Sequence, residues 1–310
     1  MKRFSCLLLC AAILFSFATC GSSGNHTPAE TVVSATVPVT EPPHQTAPTA
    51  APTQAPATPA VMGETVIIDQ DSAAFIITKT EHSEHLGMQL HVQCVNRSGR
   101  ALMFSWDMVS VCGYMYDPLW ATEVAAGKTA NATVDLDTYA LEEMGIHSID
   151  EITFTLRISD SENWMEAPLV EETHTIYPTG MSVDTLVLPT HPESAGQAVI
   201  TEDENLRFVI EAFEENDSGC TVSVYMENKT GRNLMYSWDL VSVNGMMIDP
   251  FWATLTAAGK KAFSEIFFSR ADLEDNGITE ISSIEFKLIV SDYDNWDTPN
   301  LLEKTFTYTP

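Results

Sequence analysis

Seven residues near the C-terminus, SDYDNWD from Ser291 to Asp297, gather Asp292, Asp294, Asp297 and Asn295 into one short loop. Calcium takes about six to eight oxygen ligands, so Asp292, Asp294 and Asp297 are the candidate metal ligands of the chain. An earlier stretch offers Asp160, Glu162, Asn163 and Glu166 in the same way. The glycine and terminal glutamate of an EF-hand loop are missing from both. The competing reading is a turn in which Asp and Asn tolerate unusual dihedrals and face solvent. Each loop also carries a tryptophan, Trp164 or Trp296. An exposed aromatic ring on a β-surface can stack on a sugar, which makes these two the candidate binding residues.

Other chemistry is sparse. EHSEHLGMQLH, from Glu81 to His91, collects His82, His85 and His91 with Glu81 and Glu84, a set that could take a transition metal. The equivalent stretch later in the chain, EENDSG, has no histidine, so a solvated loop is the expected reading. There is no glycine-rich phosphate loop, no Gly-x-Ser-x-Gly elbow, no His-Glu-x-x-His and no Cys-x-x-Cys. The expectation is a protein without catalysis and without a cofactor. A net charge of −28 argues against nucleic acid as a partner.

The elements that position these residues come in duplicate. SWDMVSVCGYMYDPLWAT from Ser105 returns as SWDLVSVNGMMIDPFWAT from Ser237, identical at 13 of 18 positions. The two copies run from about 63 to 178 and from 197 to 310, joined by a linker over 179–196 with room for one short strand. All six tryptophans fall into matched pairs: Trp106 with Trp238, Trp120 with Trp252, Trp164 with Trp296. A catalytic centre seldom needs to exist twice in one chain, whereas a folding or binding module often does.

Within a copy the hydrophobic period is two, as in MQLHVQCVN and CTVSVYMEN, which predicts half-buried antiparallel strands. Val243-Asn244-Gly245 is a hairpin signal. Cys112-Gly113 takes the same place in the first copy and predicts an exposed Cys112. In LMYSWDLVSV, Trp238 and Val241 belong to opposite faces, so either a bulge near Asp239 shifts the register or the strand is covered on both sides. SRADLEDNGI from Ser269 has a capping residue and a glycine stop, and predicts one short helix or turn. Trp106, Trp238, Trp120 and Trp252 are expected in the core. Asp107 and Asp239, set in an apolar strand, need partners if buried; Lys128, Lys260, Arg100 and Arg232 are the candidates. Cys94 and Cys220 align with Met226 and Met88 and read as core hydrophobes, not as a disulfide framework. Seven or eight short strands in such a length predict two tandem immunoglobulin-like antiparallel β-sandwiches.

The N-terminus predicts export. Lys2 and Arg3 precede the apolar run FSCLLLCAAILFSF, which has the length of a signal-peptide core over residues 1–19. Residues 20–62, rich in Pro, Thr and Ala, read as a disordered stalk. FATCGSS resembles the lipobox of bacterial lipoproteins, with Cys20 as the lipid-attachment residue. Phe17 and Thr19 depart from the usual residues there, and cleavage after Ala18 with release of the protein is the alternative. YMENKTGRNLMYSWDLVSVNG, AAGKKA and IEFKLIVSDYDNW are similar to the immunoglobulin-like repeats of exported lipoproteins of Gram-positive bacteria. That resemblance covers nearly all of 63–310 and implies no catalytic residues. The expected role is a lipid-anchored protein on the outer face of the cytoplasmic membrane, presenting two binding or spacer modules. The alternatives are a carbohydrate-binding or calcium-dependent adhesion protein and an accessory subunit of a membrane transporter or sensor. The expected partners are the membrane through the lipid, and a cell-wall or host glycan or a surface protein.

Overall fold

The same succession of elements occurs twice. The computed structural model describes residues 62–83, 87–181, 183–194 and 196–310. The first repeat holds β1 (Thr65–Asp69), β2 (Ala73–Ser83), β3 (Gly87–Asn96), β4 (Leu102–Val111), β5 (Tyr114–Met115), β6 (Ala121–Val124), β7 (Thr129–Leu136), α1 (Thr138–Glu143), β8 (Ile152–Asp160) and β9 (Val170–Ile176). The second holds β10 (Ala198–Glu202), β11 (Leu206–Asn216), β12 (Gly219–Asn228), β13 (Leu234–Val243), β14 (Met246–Met247), β15 (Ala253–Thr256), β16 (Lys261–Ser269), α2 (Arg270–Asp275), β17 (Ile284–Asp292) and β18 (Leu302–Tyr308). The predicted signal peptide and the predicted stalk up to residue 61 lie outside the described residues. Met62, assigned to the stalk, instead packs on the first repeat, its amide donating to the Pro178 carbonyl at 3.0 Å.

Period-two alternation dictates the layering. In β3, Leu90, Val92 and Cys94 are buried, while Gln89, His91 and Gln93 between them are not. A strand with one apolar face must cover it with a second sheet. In the first repeat the order β1-β2-β3-β7 makes one antiparallel sheet. The other is centred on β4, with β8 and β9 on one side and β5 and β6 on the other. The second repeat reproduces both sheets, with β13 at the centre of its second one. Phe75 of β2 meets Trp106 of β4 edge-on at 6.2 Å, and Trp106 stacks on Phe154 of β8 at 3.8 Å. These pairings make each repeat an immunoglobulin-like sandwich.

Of the two readings of LMYSWDLVSV, the bulge near Asp239 is the one present. Pairing with the neighbouring strand shifts register between Asp239 and Ser242, and likewise between Asp107 and Ser110. Leu240 and Met108 take φ of 50° and 51° there. The extra residue reverses strand parity, so Trp238, Val241 and Val243 are all buried while Leu240 faces out. The helices start on side-chain caps, Asp137 accepting from the Tyr139 amide and Ser269 from the Asp272 amide. Gly145 and Gly277 follow them at φ of 79° and 70°.

Two expectations need correction. Cys112 and Gly113 form the tight turn, with φ of 48° and 84°, but Cys112 is only 2% exposed. Its thiol donates to the Ser148 carbonyl at 3.3 Å, because the segment after α1 folds over the turn. Asn244 meets the equivalent segment with polar bonds to the Glu280 carbonyl and the Ser282 and Ser283 amides. The linker contributes no strand among the described residues between Ile176 and Ala198. Its polar groups serve side chains instead of a ladder: Lys261 Nζ donates to the Pro189 carbonyl at 3.1 Å, and His191 stacks on Tyr225 at 4.0 Å.

The repeats meet through one sheet. β5 of the first pairs parallel with β16 of the second, Tyr114 opposite Lys261, and the Lys261 amide donates to the Gly113 carbonyl at 2.9 Å. A nine-stranded sheet results, running from β10 to β9 across both sandwiches. Tyr114 stacks on Phe263 at 5.7 Å, with Lys261 Nζ 5.0 Å from the Tyr114 ring. Lys260 Nζ lies 3.2 Å from Glu151 Oε1 of the first repeat, and the Ala257 amide donates to Met115 Sδ. Val209 and Tyr225, which belong to the second repeat, are packed into the first repeat's hydrophobic cluster.

Candidate functional site: the acidic turns and their tryptophans

Both acidic turns sit at the end of a central strand, β8 or β17, where the chain must reverse. The first carboxylate of each acts as a local cap. Asp292 Oδ1 accepts from the Asp294 and Asn295 amides, both at 3.1 Å, and Oδ2 accepts from Arg232 Nη1 at 3.2 Å. Asp160 Oδ1 accepts from the Glu162 amide at 3.0 Å, and its Oδ2 from Asn163 Nδ2 at 3.2 Å and Arg100 Nη1 at 2.9 Å. Asn163, then the Glu162 amide and Arg100, hold the Asp160 carboxyl below the usual carboxylate value. Asp294 Oδ2 accepts from Asn233 Nδ2 at 2.9 Å, and Asp297 is exposed. Asp292 is buried, with each carboxylate oxygen accepting a protein donor. Among the described residues, no three His, Cys, Asp or Glu side chains assemble into a set that could hold a metal ion.

Trp164 and Trp296 stand out from these turns, 69% and 66% exposed. The other four tryptophans are buried; Trp252, for one, donates from Nε1 to Ser264 Oγ at 2.9 Å. Trp296 meets Tyr293 edge-on at 6.1 Å. Trp164 borders a shallow cleft of about 400 Å³ on the outer face of β4 and β8, lined also by Met103, Ser105, Asp107, Arg157 and Ser159. An aromatic ring beside hydroxyls and an ion pair offers both a stacking platform and polar partners.

Arg100 and Arg232 therefore serve the turns, not Asp107 and Asp239. Asp107 lies 3.8 Å from Arg157, and Asp239 lies 3.5 Å from Lys287. Both carboxylates are on the outer face, 44% and 50% exposed, because the period of two turns them away from the core next to the inward Trp. Partial burial pushes the Asp107 carboxyl up, against the pull of Arg157. Lys128 is exposed, and Lys260 is committed to the joint between repeats.

In the histidine stretch, Glu81 accepts from Lys79 Nζ at 2.6 Å and lies 3.2 Å from His91 Nε2. Lys79 chiefly, and His91 after it, hold the Glu81 carboxyl low. Glu84 and His85 lie outside the described residues, as does Cys20.

One feature left no trace in the sequence. A cleft of about 710 Å³ opens between α1 and the outer face of the second repeat, lined by Glu142, Glu143, Glu211, Glu214, Glu265 and His191 among others. Glu211 takes up His191 Nε2 at 3.0 Å. These residues come from four separate segments, and only the docking of one repeat on the other brings them together.

No protein-family model matches the chain, and no curated protein matches it either, so its function has to be read from its own residues.

Proposed function

We propose that the chain is a lipid-anchored protein of the outer face of a bacterial cytoplasmic membrane. A Pro/Thr/Ala-rich stalk beginning at Cys20 carries two immunoglobulin-like modules as a non-catalytic binding head. The observation that supports this most is the joint. Strand pairing and ring stacking merge the two sandwiches into one piece, which holds two outward tryptophans at fixed positions. A rigid pair of like modules at the end of a spacer suits presentation and binding. The anchor is tested by intact mass spectrometry of the protein from membranes. A diacylglyceryl adduct at Cys20 that Cys20→Ala removes is the expected result. An unmodified soluble chain starting at Thr19 would overturn the anchor and leave a secreted protein.

A glycan is the ligand class favoured by the cleft at Trp164, where a ring two-thirds exposed borders serines and an Asp–Arg pair. Co-sedimentation with insoluble cell-wall and host polysaccharides, in calcium and in EDTA, tests it. Pelleting that survives EDTA and is lost in Trp164→Ala is expected. Pelleting abolished by EDTA would move the site to the carboxylates of the Asp292 turn. A protein that stays in the supernatant throughout would remove glycans and leave protein partners.

A further inference from the structure

The joint between the repeats uses two surfaces, and each has an equivalent on the other repeat. The first repeat contributes the β4–β5 hairpin, with Tyr114 fully buried and Met115 partly so. The second contributes the free edge of β16, bordered by Lys261, Phe263 and Tyr225. At the outer ends of the pair the equivalents are the β13–β14 hairpin of the second repeat and the β7 edge of the first. Both are terminal strands of their sheets, so among the described residues no strand covers them.

These two open ends differ in chemistry. On the β7 edge, Thr129, Asn131 and Gln93 stand where Lys261, Phe263 and Tyr225 stand on β16, and Gln93 Nε2 bonds Asn131 Oδ1 at 3.3 Å. That end is uncovered but polar, as the outer faces of terminal repeats in an array usually are. The β14 end remains apolar: Met246 is 45% exposed, Met247 62%, and Leu240 of the adjacent bulge 60%. Tyr114, the counterpart of Met246, is 0% exposed. The hairpin itself is preserved, with Asn244 and Gly245 at φ of 51° and 84° against 48° and 84° for Cys112 and Gly113.

We propose that the β14 end of the second repeat is a docking surface for another protein, in the manner in which β5 docks on β16. The occupant presents an open strand edge flanked by an aromatic ring and a lysine or arginine. The aromatic covers Met246 and Met247, and an edge amide reaches the Gly245 carbonyl as Lys261 reaches that of Gly113. The basic residue follows from charge: Asp249, Glu280 and Glu285 are exposed around the hairpin, and the chain as a whole carries −28. A second copy meets this surface with like charge and with a polar β7 edge, so it is not the occupant. This surface lies apart from the Trp164 cleft and stands or falls separately from the glycan reading.

The test builds the proposed edge into the chain itself. Gln93→Tyr, Thr129→Lys and Asn131→Phe are introduced together in the unlipidated protein carrying Cys20→Ser, and sedimentation equilibrium is followed over about 1–100 µM. Head-to-tail contacts of this kind join each copy to two others, so oligomers larger than a dimer, ringed or open, are expected. The weight-average mass should rise at least about twofold, and Met247→Asp in the same chain should return it to monomer. Asn131→Phe alone, a single exposed change, serves as the milder variant, and circular dichroism establishes that each variant is folded. Folded variants that stay monomeric at all concentrations would overturn the proposal. Self-association of the unaltered chain that Met247→Asp dissolves would overturn the assignment of a different protein as occupant.

Discussion

The rings of Tyr114 and Phe263, one from each repeat, lie parallel within 4° at a centroid separation of 5.7 Å. They seal a joint that also rests on one pair of strand residues, the Lys260–Glu151 ion pair, the Ala257–Met115 contact, the packing of Val209 and Tyr225, and the linker. Tyr114→Ala removes the ring from a fully buried site, so a loss of about 3 kcal/mol is expected. The more telling outcome is mechanical: the repeats should uncouple, raising the radius of gyration in small-angle scattering and splitting the thermal unfolding into two transitions. An unchanged radius would show that the remaining contacts, among them the Lys260–Glu151 pair and the packing of Val209, hold the repeats without the Tyr114 ring.

Asp160 gives the fold a defined acid sensitivity. Its carboxyl is held low by Asn163, the Glu162 amide and Arg100. A group depressed in the folded state contributes stability above its unfolded value, about 3.9, and loses that contribution as pH falls through the folded value. Asp160→Asn should therefore lower the urea midpoint at pH 7, with the gap to the unaltered protein closing below about pH 4. A gap that persists unchanged at pH 2 would assign the effect to turn geometry instead of charge.

The three cysteines of the repeats should be inert to alkylation in the folded protein. Burial pushes the Cys94 thiol up to about 12 and that of Cys220 to about 11, and raises Cys112 as well. Only the thiolate reacts. Iodoacetamide at pH 8 should label none of them until denaturant is added. Fast labelling of Cys112 alone would mean that the segment covering it through the Ser148 carbonyl opens in solution.

Gly219 opens β12 at φ +147°, where a Cβ would lie 2.0 Å from the Phe268 carbonyl oxygen. Gly87 does the same in the first repeat, 2.2 Å from the Leu136 carbonyl. Both lie beside the strand that leads into the short helix, and backbone cannot yield as a flexible side chain does. Gly219→Ala should cost at least about 2 kcal/mol in chemical denaturation. A cost below about 0.5 kcal/mol, ordinary for a surface change, would mean that the β12–β16 ladder frays there at little expense.

What the sequence determined by itself is whatever local chemistry decides. Strand faces follow from alternation, because successive side chains must point to opposite sides of a sheet. The conflict of parity in LMYSWDLVSV left a bulge near Asp239 or a strand covered on both faces as the two solutions, and Asn-Gly marked a turn that needs two positive φ angles. Ser269 and Gly277 delimited α2 through the unpaired amides and carbonyls of a helix end. The outward tryptophans were separable from the inward ones because Trp164 and Trp296 stand among turn residues. Only the tertiary structure decided which charge meets which. Arg100 and Arg232 reach 60 residues along the chain to Asp160 and Asp292, while Asp107 and Asp239 take cations from the paired strand, one diagonal and one directly opposite. Cys112 sits on a turn that reads as exposed, and a segment 36 residues away covers it. The joint at Tyr114, the Glu-lined cleft and the uncovered β14 end depend on how one sandwich lies on the other. Their residues are far apart in sequence, and the burial of an aromatic ring by a distant strand edge leaves no periodicity to read.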